Sequence, residues 1–215
     1  PIYNSTTYAF ERVDAMPRYD YARSGNPTRD FLERQIAQLE RGKRGFAFAS
    51  GLAAIHAVLS TFKPGDRIVV GDNIYGGTYS QLNEFFTRWG LVVESVNTRD
   101  DAALESAVRG DRANGVAPAR AVYFETLTNP LLKVNDVRAI SATAHRHGAL
   151  SIVDNTFATP VLCRPIEWGA DIVIHSTTKY MDGHAVQGGG VIVDGGKFDW
   201  AASGKFPDFT EPDES

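Results

Sequence analysis

The sequence predicts an α/β fold in which a mainly parallel sheet is covered by helices on both faces. Short apolar runs alternate with segments of helical periodicity, and these runs are apolar along most of their length. Such runs are typical of strands that are buried on both faces, and strand–helix alternation is typical of parallel sheets. Of the 215 residues, 43% are hydrophobic, which suffices for a buried core and excludes a disordered chain.

The start of the chain is predicted to form a loop-rich arm followed by one helix. Asn26 can cap this helix, and Pro27 occupies its first position, where the missing N–H removes no hydrogen bond. We expect Gly42 to end the helix. One apolar face is predicted to consist of Leu32, Ile36 and Leu39.

The alternation of strands and helices begins after Gly45. The predicted strands span residues 46–49, 67–70, 91–96, 121–124, 149–153, 171–175 and 190–193. The predicted helices between them span about 51–62, 78–89, 102–108 and 137–147.

Composition and charge argue against several classes of partner. The chain has 22 basic and 26 acidic residues and no basic cluster, so its net charge of −4 argues against nucleic acid. No apolar run reaches the length of about 18 residues that crosses a membrane. The single cysteine, Cys163, cannot form an internal disulfide, so we expect a reducing, cytoplasmic location. No metal site is predicted, since His145 and His147 would point to different sides of a helix.

Candidate site residues follow the ends of three predicted strands. Ser50-Gly51-Leu52 opens a helix, whose first N–H groups suit an anion. A carboxylate, Asp154, follows the strand at 149–153. The strand at 171–175 is followed by two hydroxyls and an amine, which belong to Ser176, Thr178 and Lys179. In open α/β sheets, ligands bind beyond the carboxyl ends of the strands.

These groups match the three parts of pyridoxal 5′-phosphate (PLP). A phosphate needs N–H and O–H donors, a pyridine nitrogen needs a carboxylate to stay protonated, and an aldehyde needs an amine. Each motif by itself is more often a helix cap, a turn or a surface charge. On these residues alone, a PLP site and these plain structural explanations both remain open.

Motifs along nearly the whole chain resemble those of the Cys/Met-metabolism PLP enzymes, the transsulfuration group of fold-type I. The motifs occupy residues 19–28, 48–54, 75–78, 125–130, 153–157 and 175–180, in the order of that family. The resemblance implies a fold-type I PLP-dependent transferase. It also implies that a smaller C-terminal domain, with the arginine that binds the substrate α-carboxylate, is missing from this chain. We therefore expect the chain to be a segment of something longer.

The resemblance implies catalytic roles for three residues. Lys179 would bond to the cofactor aldehyde and later carry protons between substrate carbons. Asp154 would pair with the pyridinium nitrogen, and Tyr75 would stack on the ring and exchange a proton. A lysine in such a place is expected to be shielded from water.

Further residues are implied to bind the cofactor or the substrate. Thr156 would lie close to the cofactor, and Asn129 would help to bind the substrate carboxylate. The phosphate would be held at Ser50, Gly51, Leu52, Ser176 and Thr178.

The resemblance also implies an oligomer. Tyr21 and Arg23 would reach the phosphate of a neighbouring subunit, so the expected assembly is a homotetramer built of dimers that share active sites. We expect an N-terminal arm and helix over residues 1–44. A PLP-binding large domain, incomplete at its C-terminal end, is expected over residues 45–215.

Two subgroups of the family share the resemblance. Residues 21–29 resemble the cystathionine lyases and synthases, whereas residues 157–160, 163–171, 188–200 and 204–213 resemble O-acetylhomoserine sulfhydrylases. The longer match favours γ-replacement on O-acetylhomoserine or O-succinylhomoserine by sulfide or a thiol, giving homocysteine or methionine. The alternatives are a cystathionine or methionine lyase, which eliminates at the β- or γ-carbon, and a catalytically silent PLP-binding scaffold.

Overall fold

A seven-stranded sheet organises the computed structural model, which describes residues 1–210. The strands are β1 (Arg44–Phe48), β2 (Arg67–Gly71), β3 (Val92–Val96), β4 (Ala121–Glu125), β5 (Leu150–Asp154), β6 (Ile172–Ser176) and β7 (Gly190–Asp194). Their order is β1-β7-β6-β5-β4-β2-β3. β7 runs antiparallel to both of its neighbours, and the other neighbouring pairs are parallel. The predicted mainly parallel sheet is confirmed.

Within residues 1–210 there are six α-helices, of which the first precedes β1 and the other five lie between strands. They are α1 (Pro27–Leu39), α2 (Gly51–Leu59), α3 (Gly76–Ser80), α4 (Asp101–Arg109), α5 (Val137–Arg146) and α6 (Thr159–Leu162). The side chain of Asn26 accepts the N–H groups of Thr28 and Arg29, which explains why α1 begins there. The helix predicted over 78–89 is instead divided, because α3 gives way to a π-helical turn at Gln81–Phe86.

Helices pack on both faces of the sheet, as predicted. Because side chains alternate along a strand, Val122 and Phe124 of β4 join the core under α1, α4 and α5. Ala121 and Tyr123 of the same strand join the core under α2. β2, β4 and β5 are buried at every residue, which explains why their sequences are mostly apolar.

The predicted apolar face of α1 is correct for Ile36 and wrong for the two leucines. Leu32 and Leu39 are 47% and 54% exposed, whereas Ile36 is buried, Glu33 is half-buried and Glu40, which follows the helix, is fully buried. The Glu33 side chain accepts the Ala47 N–H at 2.9 Å, so α1 contacts β1 through a hydrogen bond to a polar side chain. A search for apolar periodicity therefore identifies only part of the buried side of this helix.

The end of α1 also differs from the prediction. α1 ends at Leu39, and the left-handed residue that follows is Arg41, with φ of 61°, rather than Gly42. The Gly42 N–H donates to the Ala37 carbonyl, which closes the helix end. Gly42 is needed for another reason, because a Cβ there would lie 2.3 Å from the Val193 Cγ1.

Within residues 1–210, none of the helices combines the length and the apolar character needed to cross a bilayer. Of the segment 204–213, which resembles O-acetylhomoserine sulfhydrylases, residues 211–213 lie outside the described residues.

Candidate active site

A cavity of about 220 Å³ opens where β4, β5 and β6 end and α2 begins, a volume suited to a small molecule. All of the predicted site residues except Tyr21 and Arg23 line it, namely Ser50, Gly51, Leu52, Tyr75, Asn129, Asp154, Thr156, Ser176, Thr178 and Lys179. The cavity lies at the carboxyl edge of the parallel strands, where ligands bind in folds of this class.

The first turn of α2 forms one wall of the cavity. The Ser50 side chain accepts the Ala53 N–H at 3.1 Å, while the N–H groups of Gly51 and Leu52 have no carbonyl partner inside the helix. A Cβ at Gly51 would lie 2.6 Å from the Ser176 Cβ, so glycine is required for this close approach. Helix N–H donors and a serine hydroxyl thus meet at one place, which suits a phosphate.

Asp154 is a buried carboxylate at the end of β5. Its Oδ1 accepts the Thr156 N–H at 3.0 Å and the Thr156 hydroxyl at 2.5 Å, and its Oδ2 accepts the Tyr123 hydroxyl at 3.2 Å. Burial raises the pKa of Asp154 above its usual range, because the charged form has lost its water. None of these partners is a cation, so a protonated ring nitrogen in the cavity would stabilise the ionised form.

Lys179 lies in the turn after β6 and lines the cavity. Lys179 is exposed, so residues 1–210 do not shield it from water, contrary to the expectation from the sequence. The Thr178 hydroxyl also lines the cavity, where it donates to the Gly189 carbonyl at 3.3 Å and accepts the Gly189 N–H at 3.1 Å. Of the hydroxyls of Ser176 and Thr178, that of Ser176 is therefore the one less occupied by hydrogen bonds within the protein.

Tyr21 and Arg23 lie in the arm and do not reach the cavity of their own chain. The Arg23 guanidinium lies 4.9 Å from the centre of the Tyr21 ring, and Tyr21 pairs with Thr7 through the backbone. Their predicted contact with the phosphate of another subunit stays a prediction.

Four residues that line the cavity were not predicted as site residues: Ile55, Glu125, Leu127 and Phe157. Of these, Glu125 is a carboxylate on the last residue of β4, and its neighbour across the strand pair is Asp154. Its position at a strand end is the same signal that identified Asp154. Burial, reinforced by the charge of Asp154, raises the pKa of Glu125 to about 8.

His145 of α5 and His147, which follows the helix, do not converge on one point. The His145 Nε2 lies 2.9 Å from the Asp171 Oδ2, and the His147 Nε2 lies 2.5 Å from the Glu105 Oε1. Within the described part of the chain, no cluster of His, Cys, Asp and Glu side chains could hold a metal ion.

The residues that line the cavity fit PLP. The α2 N–H groups and Ser176 suit its phosphate, the buried Asp154 suits its ring nitrogen, and Lys179 suits its aldehyde. The close approach of Gly51 to Ser176 supports this fit independently, since any larger residue would separate the phosphate donors.

Comparisons with known proteins agree with this geometry. A family model described as "Cys/Met metabolism PLP-dependent enzyme" matches residues 1–209. Cystathionine beta-lyase of Lactococcus lactis subsp. cremoris is 50% identical over 185 residues, which cover 86% of this chain and 47% of that protein. Cystathionine gamma-synthase/O-acetylhomoserine (thiol)-lyase of Bacillus subtilis is 45% identical over 184 residues, covering 86% and 48%.

A solved structure shares the fold. The crystal structure of cystathionine gamma-lyase from Lactobacillus plantarum, complexed with L-serine, matches with a TM-score of 0.85 and 42% identity. The match covers 96% of this chain and 51% of that chain. The chain thus spans about half the length of the relatives that it matches.

Proposed function

Because the chain belongs to the Cys/Met metabolism PLP-dependent enzyme family, we propose that it forms part of an enzyme of sulfur amino-acid metabolism. Its reaction is γ-replacement on O-acetylhomoserine or O-succinylhomoserine. With O-acetylhomoserine, sulfide forms a bond to the γ-carbon while acetate leaves, and homocysteine is the product. The observation that carries the proposal is the cavity in which the start of α2, Asp154 and Lys179 meet.

The chain supplies the groups that this chemistry needs. When bound, PLP supplies an electron-accepting ring that stabilises negative charge at substrate carbons. Asp154 keeps the proton on the ring nitrogen, which maintains the electron demand of the ring. Lys179 attaches the cofactor and then moves a proton at its Nζ between substrate carbons. Tyr75 contributes an aromatic face and a phenol that can take or return a proton.

The remaining site residues bind rather than react. The N–H groups of Gly51 and Leu52, with the hydroxyls of Ser176 and Thr178, hold the phosphate. The Asn129 amide helps to hold the substrate carboxylate. Ser50 shapes this wall by capping α2, and Thr156 fixes Asp154 through two hydrogen bonds to its Oδ1.

The proposed assembly is a homotetramer of dimers. Residues 1–44 act as an arm and a helix, and residues 45–215 act as the PLP-binding domain. Tyr21 and Arg23, which lie away from the cavity of their own chain, contact the phosphate in a neighbouring subunit. Arginine suits this role because its contact with a phosphate is charge-assisted.

Elimination is a second candidate reaction. The lactococcal relative, which is 50% identical, is named a cystathionine beta-lyase, whereas the Bacillus relative carries both a synthase and a thiol-lyase name. A lyase would break a C–S bond of cystathionine, so that homocysteine (β-elimination) or cysteine (γ-elimination) leaves as the thiol. The remaining carbon skeleton is hydrolysed by water to a keto acid and ammonia, and no sulfide is needed.

One assay separates the candidates. The purified holoenzyme is supplied with O-acetylhomoserine plus sulfide, or with cystathionine alone, and homocysteine, acetate, ammonia and keto acid are measured. Replacement predicts homocysteine and acetate in the first mixture, without keto acid. Ammonia and keto acid from cystathionine, without sulfide-dependent product in the first mixture, would favour the lyase. The Lys179→Ala variant is the control for turnover at this site. Binding of PLP without turnover or spectral change on any of these substrates would indicate a silent scaffold.

A further inference from the structure

Glu125 connects two loops of the cavity through its side chain. Its Oε1 accepts the Tyr75 N–H and its Oε2 accepts the Asn129 N–H, each at 2.7 Å. Tyr75 lies 50 residues before Glu125, at the start of α3, whereas Asn129 lies four residues after it. One carboxylate therefore joins a distant segment of the chain to the loop that follows β4.

The backbone of Glu125 is held rigidly in the sheet. The residue is 5% exposed and ends a central strand, where it pairs with Asp154 of β5. The Asn135 Nδ2 donates to the Glu125 carbonyl at 2.7 Å, and the Asn135 Oδ1 accepts the Thr98 hydroxyl at 2.7 Å. The backbone of Glu125 thus cannot move without breaking several buried hydrogen bonds, so its oxygens fix the position of their two partners.

Glu125 occupies an electrostatically costly position. It lies beside Asp154 at the ends of adjacent strands, and two buried carboxylates repel each other. Burial and the neighbouring charge raise the pKa of Glu125 to about 8. The two N–H groups that it accepts act in the opposite direction. Buried carboxyl groups that repel each other are concentrated at functional sites. If the position only had to be packed, a neutral side chain would make the fold more stable.

We infer that Glu125 is a positioning residue, whose two oxygens hold Tyr75 and Asn129 in the cavity. The inference rests on the proposed function, in which Tyr75 serves the cofactor ring and Asn129 serves the substrate carboxylate. Glu125 acts through these two residues, and neither proton transfer nor substrate contact is assigned to it.

The test compares Glu125→Gln with Glu84→Gln in the holoenzyme. Glutamine keeps the size of the side chain, but its NH₂ must face one of the two N–H donors, so one of the loops is released. Glu84 is exposed on the turn after α3 and does not line the cavity, so its variant controls for the change of residue type. KM and kcat, the affinity for PLP and the visible circular dichroism of bound PLP are measured for both.

We expect Glu125→Gln to weaken PLP binding or to raise the substrate KM by about tenfold, with an altered dichroism band. Glu84→Gln should resemble the wild type in each measurement. Wild-type dichroism, PLP affinity and KM in a folded Glu125→Gln protein would overturn the inference. A loss of thermal stability without change in these signals would also overturn it, because it would indicate a purely structural role.

Two additions keep the test decisive. If Glu125→Gln does not fold, Glu125→Asp retains the carboxyl group but is too short to reach both N–H groups, and it should move the same signals. In the wild-type holoenzyme, hydrogen exchange at the Tyr75 and Asn129 amides should be slow, and fast exchange at both would overturn the inference. Absence of turnover in the wild type would contradict the proposed function, while PLP affinity, dichroism and exchange would still test Glu125.

Discussion

Glu40 and His175 form a completely buried pair in which the Glu40 Oε1 lies 2.6 Å from the His175 Nε2. The same oxygen accepts the Asn155 Nδ2 at 2.9 Å. His175 immediately precedes Ser176 and Asn155 immediately follows Asp154. One carboxylate at the end of α1 therefore fixes the two strand ends that carry the phosphate hydroxyl and the ring-nitrogen partner.

We expect Glu40→Ala to lower the free energy of unfolding by about 3–5 kcal/mol, because it leaves buried polar groups without a partner. Urea unfolding of the holoenzyme measures this loss. The control is Glu11→Ala, an exposed position in the arm, which should change the free energy by less than about 0.5 kcal/mol. Equal effects of the two substitutions would contradict a stabilising role for the buried pair.

Lys179→Ala should abolish covalent attachment of PLP and turnover. Lys179 is the lysine that lines the cavity within residues 1–210, and the Lys197 Nζ instead donates to the Ile166 carbonyl. Mass spectrometry after borohydride reduction should find the adduct on Lys179 in the wild type and in the control variant Lys197→Ala. An adduct on Lys133 or Lys197 would refute the assignment.

Asp154→Asn should leave PLP bound but slow deprotonation of the substrate α-carbon by roughly a hundredfold or more. The substitution keeps the shape and removes the charge that stabilises a protonated ring nitrogen. Tyr123→Phe removes only the 3.2 Å hydrogen bond to Asp154 and should therefore have a smaller effect. The measurements are kcat and the rate of α-proton exchange into solvent, and near-normal values in Asp154→Asn would exclude the proposed role.

Arg23→Ala should weaken PLP affinity, because it removes a charge-assisted contact to a dianionic phosphate. Mixing Arg23→Ala subunits with Lys179→Ala subunits should restore activity. In such a hybrid dimer, one of the two sites combines an intact Arg23 with an intact Lys179. Verified mixed oligomers without any restored activity would indicate that the arm serves its own subunit.

The pair of His145 and Asp171 should make stability depend on pH. The hydrogen bond that His145 donates to the Asp171 carboxylate is the main cause that raises the pKa of His145 above its unfolded value near 6.5. The stabilisation is therefore fully present below the unfolded pKa and is lost as the pH rises through the folded pKa.

Urea unfolding at about pH 5.5 and about pH 9 tests this dependence. The wild type should exceed His145→Asn in stability by a larger margin at the lower pH. His184→Asn is the control, because His184 is exposed and bonds only within its own turn. A margin that stays constant, or that grows at the higher pH, would contradict the prediction.

Local signals in the sequence predicted the positions of the strands and of most helices. Apolar runs identify strands that are buried on both faces, and caps such as Asn26 and Ser50 mark helix starts, because both effects act over a few neighbouring residues. The same local reading located Asp154 and Lys179 at strand ends. Since parallel strands end at one edge of a sheet, the sequence alone determined that these residues would lie near one another.

Tertiary structure decided what depends on pairing between distant residues. Glu33 of α1 and Glu40 just after it face the sheet. Glu40 can be buried because His175, 135 residues later in the chain, and Asn155 both bond to its Oε1. The hydrogen bond that the Tyr75 N–H donates to Glu125 joins residues 50 positions apart, and the antiparallel direction of β7 is likewise visible only in the sheet. A buried polar side chain is stable only when its partner is in place, and no local pattern of hydrophobicity records where that partner lies.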